Sequence, residues 1–286
     1  MVLRDAKTRL YVLLGNPVDH SLSPSLHNAA FRAQAINCTY LATEVEQENI
    51  NDALQGMKAL SISGANVTYP FKEAVVQYLD SISREAESVN AVNTIINRNG
   101  RLHGEITDGE GFFASLKEIF PAFKQNSLVA VIGAGGACRS AAYTLAERGA
   151  ERVTIFNRTV KKAETLSDLL ISKIAVGSSY YYPLEKELIK KALGEHSLII
   201  YGLPFDSDLF MEAVKESPLI DKNTLLYDLR YNPYQTKVME LFKAKGGRCC
   251  NGLGMLLWQA VYAYELFTGR TAPVEVMKKA VGYEKY

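Results

Sequence analysis

Leu128-Val129-Ala130-Val131-Ile132-Gly133-Ala134-Gly135-Gly136-Ala137-Cys138-Arg139 is the stretch on which the fold turns. Its first five residues are uniformly apolar, the pattern of a strand buried on both faces. The glycine-rich turn follows without a spacer, and residues 138–147 continue with helical character. A strand, a tight turn and a helix in that order aim backbone N–H groups at a pyrophosphate, and the helix N-terminus adds partial positive charge. Cys138 occupies the third fingerprint position, where Gly or Ala is usual, but its side chain is still small. A second strand-like stretch, 152–156, runs into Asn157-Arg158-Thr159. A bare ribose usually meets an acid at such a place, whereas an arginine suits a 2′-phosphate. Together the two features predict an NADP(H) site built by Gly133, Ala134, Gly135, Gly136, Ala137, Asn157, Arg158 and Thr159.

Downstream, strand-like pieces recur at 197–201 and 225–229 with helix-like pieces between them. That alternation predicts a parallel sheet with helices on both faces. Upstream, strands are expected at 11–14, 39–45 and 64–68, and helices at 24–34, 49–60 and 71–79. Ser23 reads as the N-cap of the first helix, with Pro24 at its first position. Residues 92–97 and 102–106 flank Asn99-Gly100, the signature of a hairpin closed by a type I′ turn. The boundary falls near 109–111, just after that hairpin. The expected fold class is therefore α/β: a first α/β domain at 1–108, a Rossmann-like, doubly wound domain at 109–251, and C-terminal helices at 252–286. The Leu-, Tyr- and Trp-rich helix at 252–268 reads as packing rather than as a ligand site.

Composition narrows the function classes. At 286 residues the chain is long enough for two modest cores. Its 32 Lys and Arg against 31 Asp and Glu leave a net charge of +1, which gives no electrostatic case for nucleic acid or an anionic membrane. No apolar run approaches the roughly 20 residues of a membrane span. The charged start, residues 1–7, lacks the apolar core of a secretory signal, so a cytoplasmic location is expected. The four cysteines, Cys38, Cys138, Cys249 and Cys250, form no C-x-x-C pair, and the four histidines are scattered. Reduced thiols and no metal site are the expectation.

Polar residues gather at several strand ends. In Asn16-Pro17-Val18-Asp19-His20-Ser21-Leu22-Ser23-Pro24, Ser21 and Ser23 alternate along an extended piece and can face one ligand with donors and acceptors. Asn66-Val67-Thr68-Tyr69-Pro70-Phe71-Lys72 puts Asn66, Thr68 and Lys72 near one strand terminus, where parallel sheets collect their ligands. Asn93-Thr94 and Thr107-Asp108 bracket the hairpin. Taken singly, Ser23 is a helix cap, Lys72 an exposed lysine, and the last two pairs are ordinary turn elements.

In this order the pieces resemble the shikimate dehydrogenase (shikimate/quinate dehydrogenase) family over nearly the whole chain. The matching segments are Ser-Leu-Ser-Pro with His27-Asn28, Asn-Val-Thr-x-Pro-x-Lys, Ala91-Val92-Asn93-Thr94, and Thr107-Asp108 with Gly111-Phe112. They continue through the 133–137 turn with Arg139, Asn157-Arg158-Thr159, Tyr231-Asn232-Pro233, and Gly252-Leu253-Gly254-Met255-Leu256 before Gln259. The resemblance implies NADP-linked interconversion of 3-dehydroshikimate and shikimate, a step of aromatic amino acid biosynthesis. It implies a substrate domain, a nucleotide domain and a cleft between them, with the Gln259 helix returning to the substrate domain. Lys72 and Asp108 would be the catalytic pair. Ser21, Ser23, Asn66, Thr68, Asn93, Tyr231 and Gln259 would hold the substrate, and Leu229 and Gly252 would join the cofactor residues. A monomer or homodimer with no nucleic-acid or membrane partner is implied.

Four positions depart from the family pattern. Ile106 stands where an amide is usual, and Asn90 where a glycine is usual, although Asn also tolerates positive φ. Tyr201-Gly202-Leu203-Pro204-Phe205-Asp206 replaces an Asn-x-Thr-Pro loop, which puts polar contacts to the cofactor in question. Arg230 adds a positive charge before Tyr231 and is expected to face solvent. The alternatives are a quinate/shikimate enzyme of dual specificity, a paralogue acting on an altered ring, and a non-catalytic NADP(H)-binding regulator. Retention of both Lys72 and Asp108 argues against the last, and Arg158 favours NADP over NAD.

Overall fold

The computed structural model of the chain describes residues 4–121, 123, 127–174 and 177–283. Two compact units emerge, one comprising Met1–Gly111 with Leu256–Lys285, the other Phe112–Met255.

The first unit is built on a six-stranded mixed sheet of order β2-β1-β3-β5-β6-β4. Its strands are β1 (Arg9–Gly15), β2 (Cys38–Glu44), β3 (Gly64–Val67), β4 (Ser81–Ile82), β5 (Thr94–Arg98) and β6 (Arg101–Glu105). β1, β2 and β3 run parallel, so their C-terminal ends share one edge. The hairpin forms as the Asn-Gly pair demands: Asn99 and Gly100 both take positive φ, 56° and 84°, and Arg98 pairs Arg101 across the turn. β5 then lies antiparallel to β3, which brings Asn93 beside Asn66 and Val67. Helices α1 (Ser23–Ala33), α2 (Ile50–Ala59) and α3 (Arg84–Val89) connect these strands. Asn90 ends α3 in the left-handed region at φ 48°, so it fills the place of the family's glycine there. One face of the sheet is closed by an apolar layer that includes Leu54, Met57, Phe71, Val75 and Ile95.

Two local expectations fail. Residues 71–79 do not form an α-helix; a single 3-10 turn spans Ala74–Tyr78. The carbonyl of Lys72, which a helix would use internally, instead accepts the N–H of Val92 at 2.8 Å. Ser23 is not the cap of α1 either. Leu22 is already in the helical region and caps without a side-chain bond, Ser23 is the first helical residue, and Ser21 Oγ accepts the Ser23 N–H at 3.3 Å.

The second unit is entered along α4 (Asp108–Ile119). Its sheet is wholly parallel, with strands β7 (Leu128–Ile132), β8 (Arg152–Asn157), β9 (Ser178–Pro183), β10 (Leu198–Tyr201), β11 (Leu225–Asp228) and β12 (Arg248–Cys250). The strand order is β12-β11-β10-β7-β8-β9, so the chain winds one way from β7 and the other way from β10. Helices α5 (Gly136–Glu147), α6 (Val160–Leu169), α7 (Lys186–Glu195), α8 (Asp208–Glu216) and α9 (Lys237–Ala244) make the crossovers. A doubly wound sheet binds ligands at such a reversal, here between the C-terminal ends of β7 and β10. Residues such as Ile199, Phe210, Val214, Leu226 and Phe242 fill a core on one face. The chain closes with α10 (Leu253–Thr268) and α11 (Val274–Ala280). Leu257, Ala260, Val261 and Tyr264 of α10 are buried, as a packing helix requires. Among the described residues no helix is long and apolar enough to cross a membrane.

Candidate active site

Lys72 reaches its place because the residue before it is anchored. Phe71 is fully buried, its N–H bonds the carbonyl of Thr68 at 2.9 Å, and the strand–turn junction fixes where the next side chain begins. Asp108 opens α4, where the helix dipole favours a carboxylate. Lys72 Nζ donates to Asp108 Oδ2 at 2.5 Å. The Asp108 side chain is 4% exposed and that of Lys72 20%, so the carboxylate is enclosed while the ammonium retains an outlet.

The other oxygen of Asp108 is also occupied. Asn93 Nδ2 donates to Asp108 Oδ1 at 2.8 Å and to Thr107 Oγ1 at 3.0 Å, with Gln259 Oε1 at 3.3 Å. Asn93 Oδ1 accepts the N–H of Thr107 at 2.9 Å and the hydroxyl of Thr94 at 3.0 Å. Thr94 Oγ1 accepts in turn from Asn66 Nδ2 at 3.0 Å, and Asn66 Oδ1 accepts the Tyr40 hydroxyl at 2.9 Å. Gln259 comes within reach because α10 crosses at Gly111, where a Cβ would lie 2.5 Å from the Gln259 backbone nitrogen. Fully satisfied buried networks of this kind set side-chain positions rigidly.

Five of the sequence-predicted residues therefore meet: Lys72, Asp108, Asn93, Asn66 and Gln259. Ser21, Ser23 and Thr68 follow β1 and β3 at the same sheet edge, outside that bonded chain. Tyr231 belongs to the second unit, three residues beyond β11. Sequence reasoning missed Tyr40 and gave Thr94 and Thr107 no role of their own. Nothing in the sequence marks Tyr40, which looks like any strand tyrosine.

In the second unit the cofactor candidates frame the β7/β10 reversal. Gly133 has φ +116°, which excludes ordinary side chains, and its N–H bonds the Phe156 carbonyl at 2.8 Å. A Cβ at Gly135 would meet nothing within 4 Å, so the turn opens outward there, and α5 begins without a side-chain cap. That leaves helix N–H groups for an anion. Asn157 Nδ2 donates to the Thr159 carbonyl at 2.9 Å, a small turn that carries Arg158 exposed at the end of β8. A glycine cradle with an arginine after the second strand fits a dinucleotide bearing a 2′-phosphate. Leu229 and Gly252 touch one another: a Cβ on Gly252 would collide with the Leu229 carbonyl oxygen.

The altered 201–206 segment is ordered from within. Gly202 N–H bonds the Ile132 carbonyl at 2.9 Å, so it lies directly beside the glycine turn. Cys138 explains the glycine: a Cβ at 202 would collide with its Sγ. Arg230 does not face solvent. It donates to Asp228 from Nε at 3.0 Å and from NH2 at 2.7 Å, to Asp206 at 2.9 Å, and lies over the Tyr201 ring. Two acids draw it inward, and one of them is 24 residues away in the chain.

Family models match three parts of the chain. One described as the shikimate dehydrogenase substrate binding domain matches residues 13–95, one for shikimate/quinate 5-dehydrogenase matches 114–201, and one for the shikimate 5'-dehydrogenase C-terminal domain matches 252–281. The shikimate dehydrogenase (NADP(+)) of Methanopyrus kandleri is 39% identical over 97% of this chain and 96% of its own. A Listeria monocytogenes shikimate 5-dehydrogenase, solved with shikimate and NAD, superposes with TM-score 0.84 at 31% identity, covering 96% of this chain and 97% of its own. The Thermus thermophilus enzyme, solved with NADP(H) and shikimate, gives TM-score 0.78 at 33% identity over 95% and 98% of the two chains. On these family models and on full-length identity near 40%, this chain belongs to the shikimate dehydrogenase family.

Proposed function

We propose that this chain interconverts shikimate and 3-dehydroshikimate with NADP(H), and that Lys72 and Asp108 are its catalytic pair. The observation that carries the reading is the Lys72–Asp108 bond, held in place by Asn93 and backed by Gln259. NADP(H) would be held by the 133–137 turn and Arg158, with Leu229 and Gly252 beside them, and when bound it supplies or accepts the hydride. Lys72 handles the proton. In reduction the substrate oxygen gains negative charge, and the Lys72 ammonium stabilises that charge and donates a proton to it. In oxidation the deprotonated amine takes the proton from the hydroxyl. Asp108 keeps Nζ aimed through a charge-assisted hydrogen bond. Because Asn93 occupies the other carboxylate oxygen, Asp108 has one remaining direction in which to hold Lys72.

Ser21, Ser23, Asn66, Thr68, Asn93, Tyr231 and Gln259 bind the carboxylate and hydroxyls of the substrate in this reading. A cytoplasmic location is supported by the four cysteines, all free and buried. A monomer or homodimer would suffice, since every proposed residue lies on one chain.

The test mixes purified protein with shikimate and NADP and follows reduced-nicotinamide absorbance, with quinate and NAD in parallel wells. Fast reduction of NADP by shikimate alone supports the reading. Comparable rates with quinate or NAD would replace it by a dual-specificity enzyme. NADPH binding without turnover on either acid would overturn the assigned substrate.

A further inference from the structure

Two departures from the family pattern, the 201–206 segment and Arg230, form one mechanical unit. β7 and β10 pair with Tyr201 opposite Ile132, so the turns after them start side by side and make the two walls of the crevice at the sheet reversal. One wall, 133–137, is tied back to the sheet at its start, where the Gly133 N–H bonds the Phe156 carbonyl at 2.8 Å. The other wall, 202–206, is a connection with exposed Phe205 at its far end, and such a connection needs bracing.

The bracing comes from β11. Asp228 is fully buried at the end of that strand, and its Oδ2 also accepts the Thr236 hydroxyl at 2.8 Å. Arg230 is fixed on Asp228 through Nε and NH2, and the same NH2 extends to Asp206 at 2.9 Å. Its guanidinium carbon lies 5.1 Å from the Tyr201 ring centroid. Tyr201 closes the wall from below: its hydroxyl donates to the Phe205 carbonyl at 2.8 Å and accepts the Ser207 N–H at 2.9 Å. Burial pushes the Tyr201 hydroxyl up to about 12, so it keeps the proton it donates. Ser207 in turn caps α8. Loop, strand end and helix cap are thus tied to a single guanidinium, whose planar fork suits two carboxylates at once.

We infer that Arg230 is a positioning residue for the dinucleotide: through Asp206 and Tyr201 it holds the 202–206 wall in the shape that admits NADP(H), without itself taking part in the chemistry. The inference rests on the proposed function in that it takes the crevice to be the NADP(H) site.

Removing Arg230 would leave Asp228 buried without its cation and endanger folding. The decisive variants are therefore Asp206→Ala and Tyr201→Phe, singly and together, which cut the loop from the brace and leave the Arg230–Asp228 pair intact. NADPH binding is read by nucleotide fluorescence without turnover, and loop opening by the rate of chymotryptic cleavage after Phe205 divided by the rate in the same variant's unfolded chain, because residue 206 directly follows the cleaved bond. The double variant is expected to cleave faster and to bind NADPH about tenfold more weakly, as when the competent arrangement falls to about a tenth of the population. Its kcat at saturating cofactor should stay within about twofold, because saturating ligand restores the competent state. Wild-type cleavage and wild-type Kd in the double variant would overturn the inference and leave Arg230 an ordinary buried ion pair. If the wild-type chain bound no NADPH at all, the functional reading and the cofactor role would both fall, and cleavage at Phe205 would alone decide whether the brace exists.

Discussion

The surroundings of Lys72 and those of Gly133 are made in opposite ways. Around Lys72 the structure is set by side chains: Asp108, Asn93, Thr94, Thr107 and Asn66 are buried and bonded to one another. Around Gly133 it is set by backbone and by the lack of side chains: positive φ at Gly133, open space beyond Gly135, and a Gly202 that makes room for Cys138. A side-chain network tolerates little change, because each member satisfies another. A backbone cradle tolerates replacement of its walls, provided the new residues brace one another. Of the four departures noted in the sequence, the 201–206 segment and Arg230 fall together at the wall, while Asn90 and Ile106 lie next to the network in the chain but outside its bonded residues.

The contrast is tested most directly at the proposed proton-transfer group. Lys72→Ala is expected to lower kcat at least ~100-fold, the low end for a positioned acid–base group, with KM for shikimate changing far less. Steady-state kinetics at saturating NADP reads both, and thermal melting checks that Asp108, left with Asn93, still permits folding. An unchanged kcat would remove Lys72 from the chemistry. Next in size is the cofactor side. Arg158→Ala should raise KM for NADP at least about tenfold, the loss of one charge-assisted hydrogen bond, and leave KM for NAD nearly unchanged. Equal changes for the two cofactors would argue against a 2′-phosphate contact.

Arg158 is legible in the sequence because it directly follows a strand with the run Val-Thr-Ile-Phe. Lys72 is legible only through the order of segments shared with the family, since the strand before it is Gly-Ala-Asn-Val and the lysine alone reads as an exposed one. Tyr40 and Thr94 are not legible, because a buried hydroxyl on a strand looks the same whether or not an amide waits for it. Arg230 reads as solvent-facing because its deciding partner, Asp206, lies on another strand connection. The helix expected at 71–79 fails for a similar reason: the Lys72 carbonyl is taken by Val92, and no local propensity encodes that bond. Local pattern gives the elements, and long-range hydrogen bonds decide the exceptions.

The fit between Cys138 and Gly202 tests whether the rebuilt wall is coupled to the glycine turn. Gly202→Ala drives a methyl into Cys138 Sγ and puts it 3.2 Å from Leu229 Cδ1. Overpacking of this kind costs about 1–3 kcal/mol. Cys138→Ala removes the sulfur, so the double variant should recover most of the loss in denaturant unfolding. Additive losses in the double variant would mean that some other contact, not the sulfur, requires glycine at 202.

The smallest effect compares one buried histidine in each unit. His27 is fully buried against the Tyr40 ring, 4.4 Å between centroids, and burial pushes its pKa down to about 3 against a weaker upward pull from Asn66. His196 in the second unit is lowered as well, by burial, and opposed by its bond to the Ala192 carbonyl. That carbonyl can only accept, so His196 Nδ1 carries the proton and Nε2 accepts the Thr154 hydroxyl at 2.9 Å. Both rings are held neutral, and both folded pKa values lie below the unfolded value of about 6.5. The unfolded chain therefore binds protons first as pH falls, and the stability these groups contribute above about pH 6.5 is lost progressively on the way down to the folded pKa. One pH unit below the unfolded pKa, His27 alone costs about 1 kcal/mol relative to pH 7. His27→Phe keeps an aromatic ring against Tyr40 and removes the titration. Between pH 7 and a pH of about 5.5, unfolding free energy should fall less in this variant than in the wild type, by about that amount, with the remaining slope due in part to His196. Equal losses in the two proteins would mean that His27 takes up a proton in the folded state, and that the aromatic layer beneath the Lys72 network is wetter than its burial indicates.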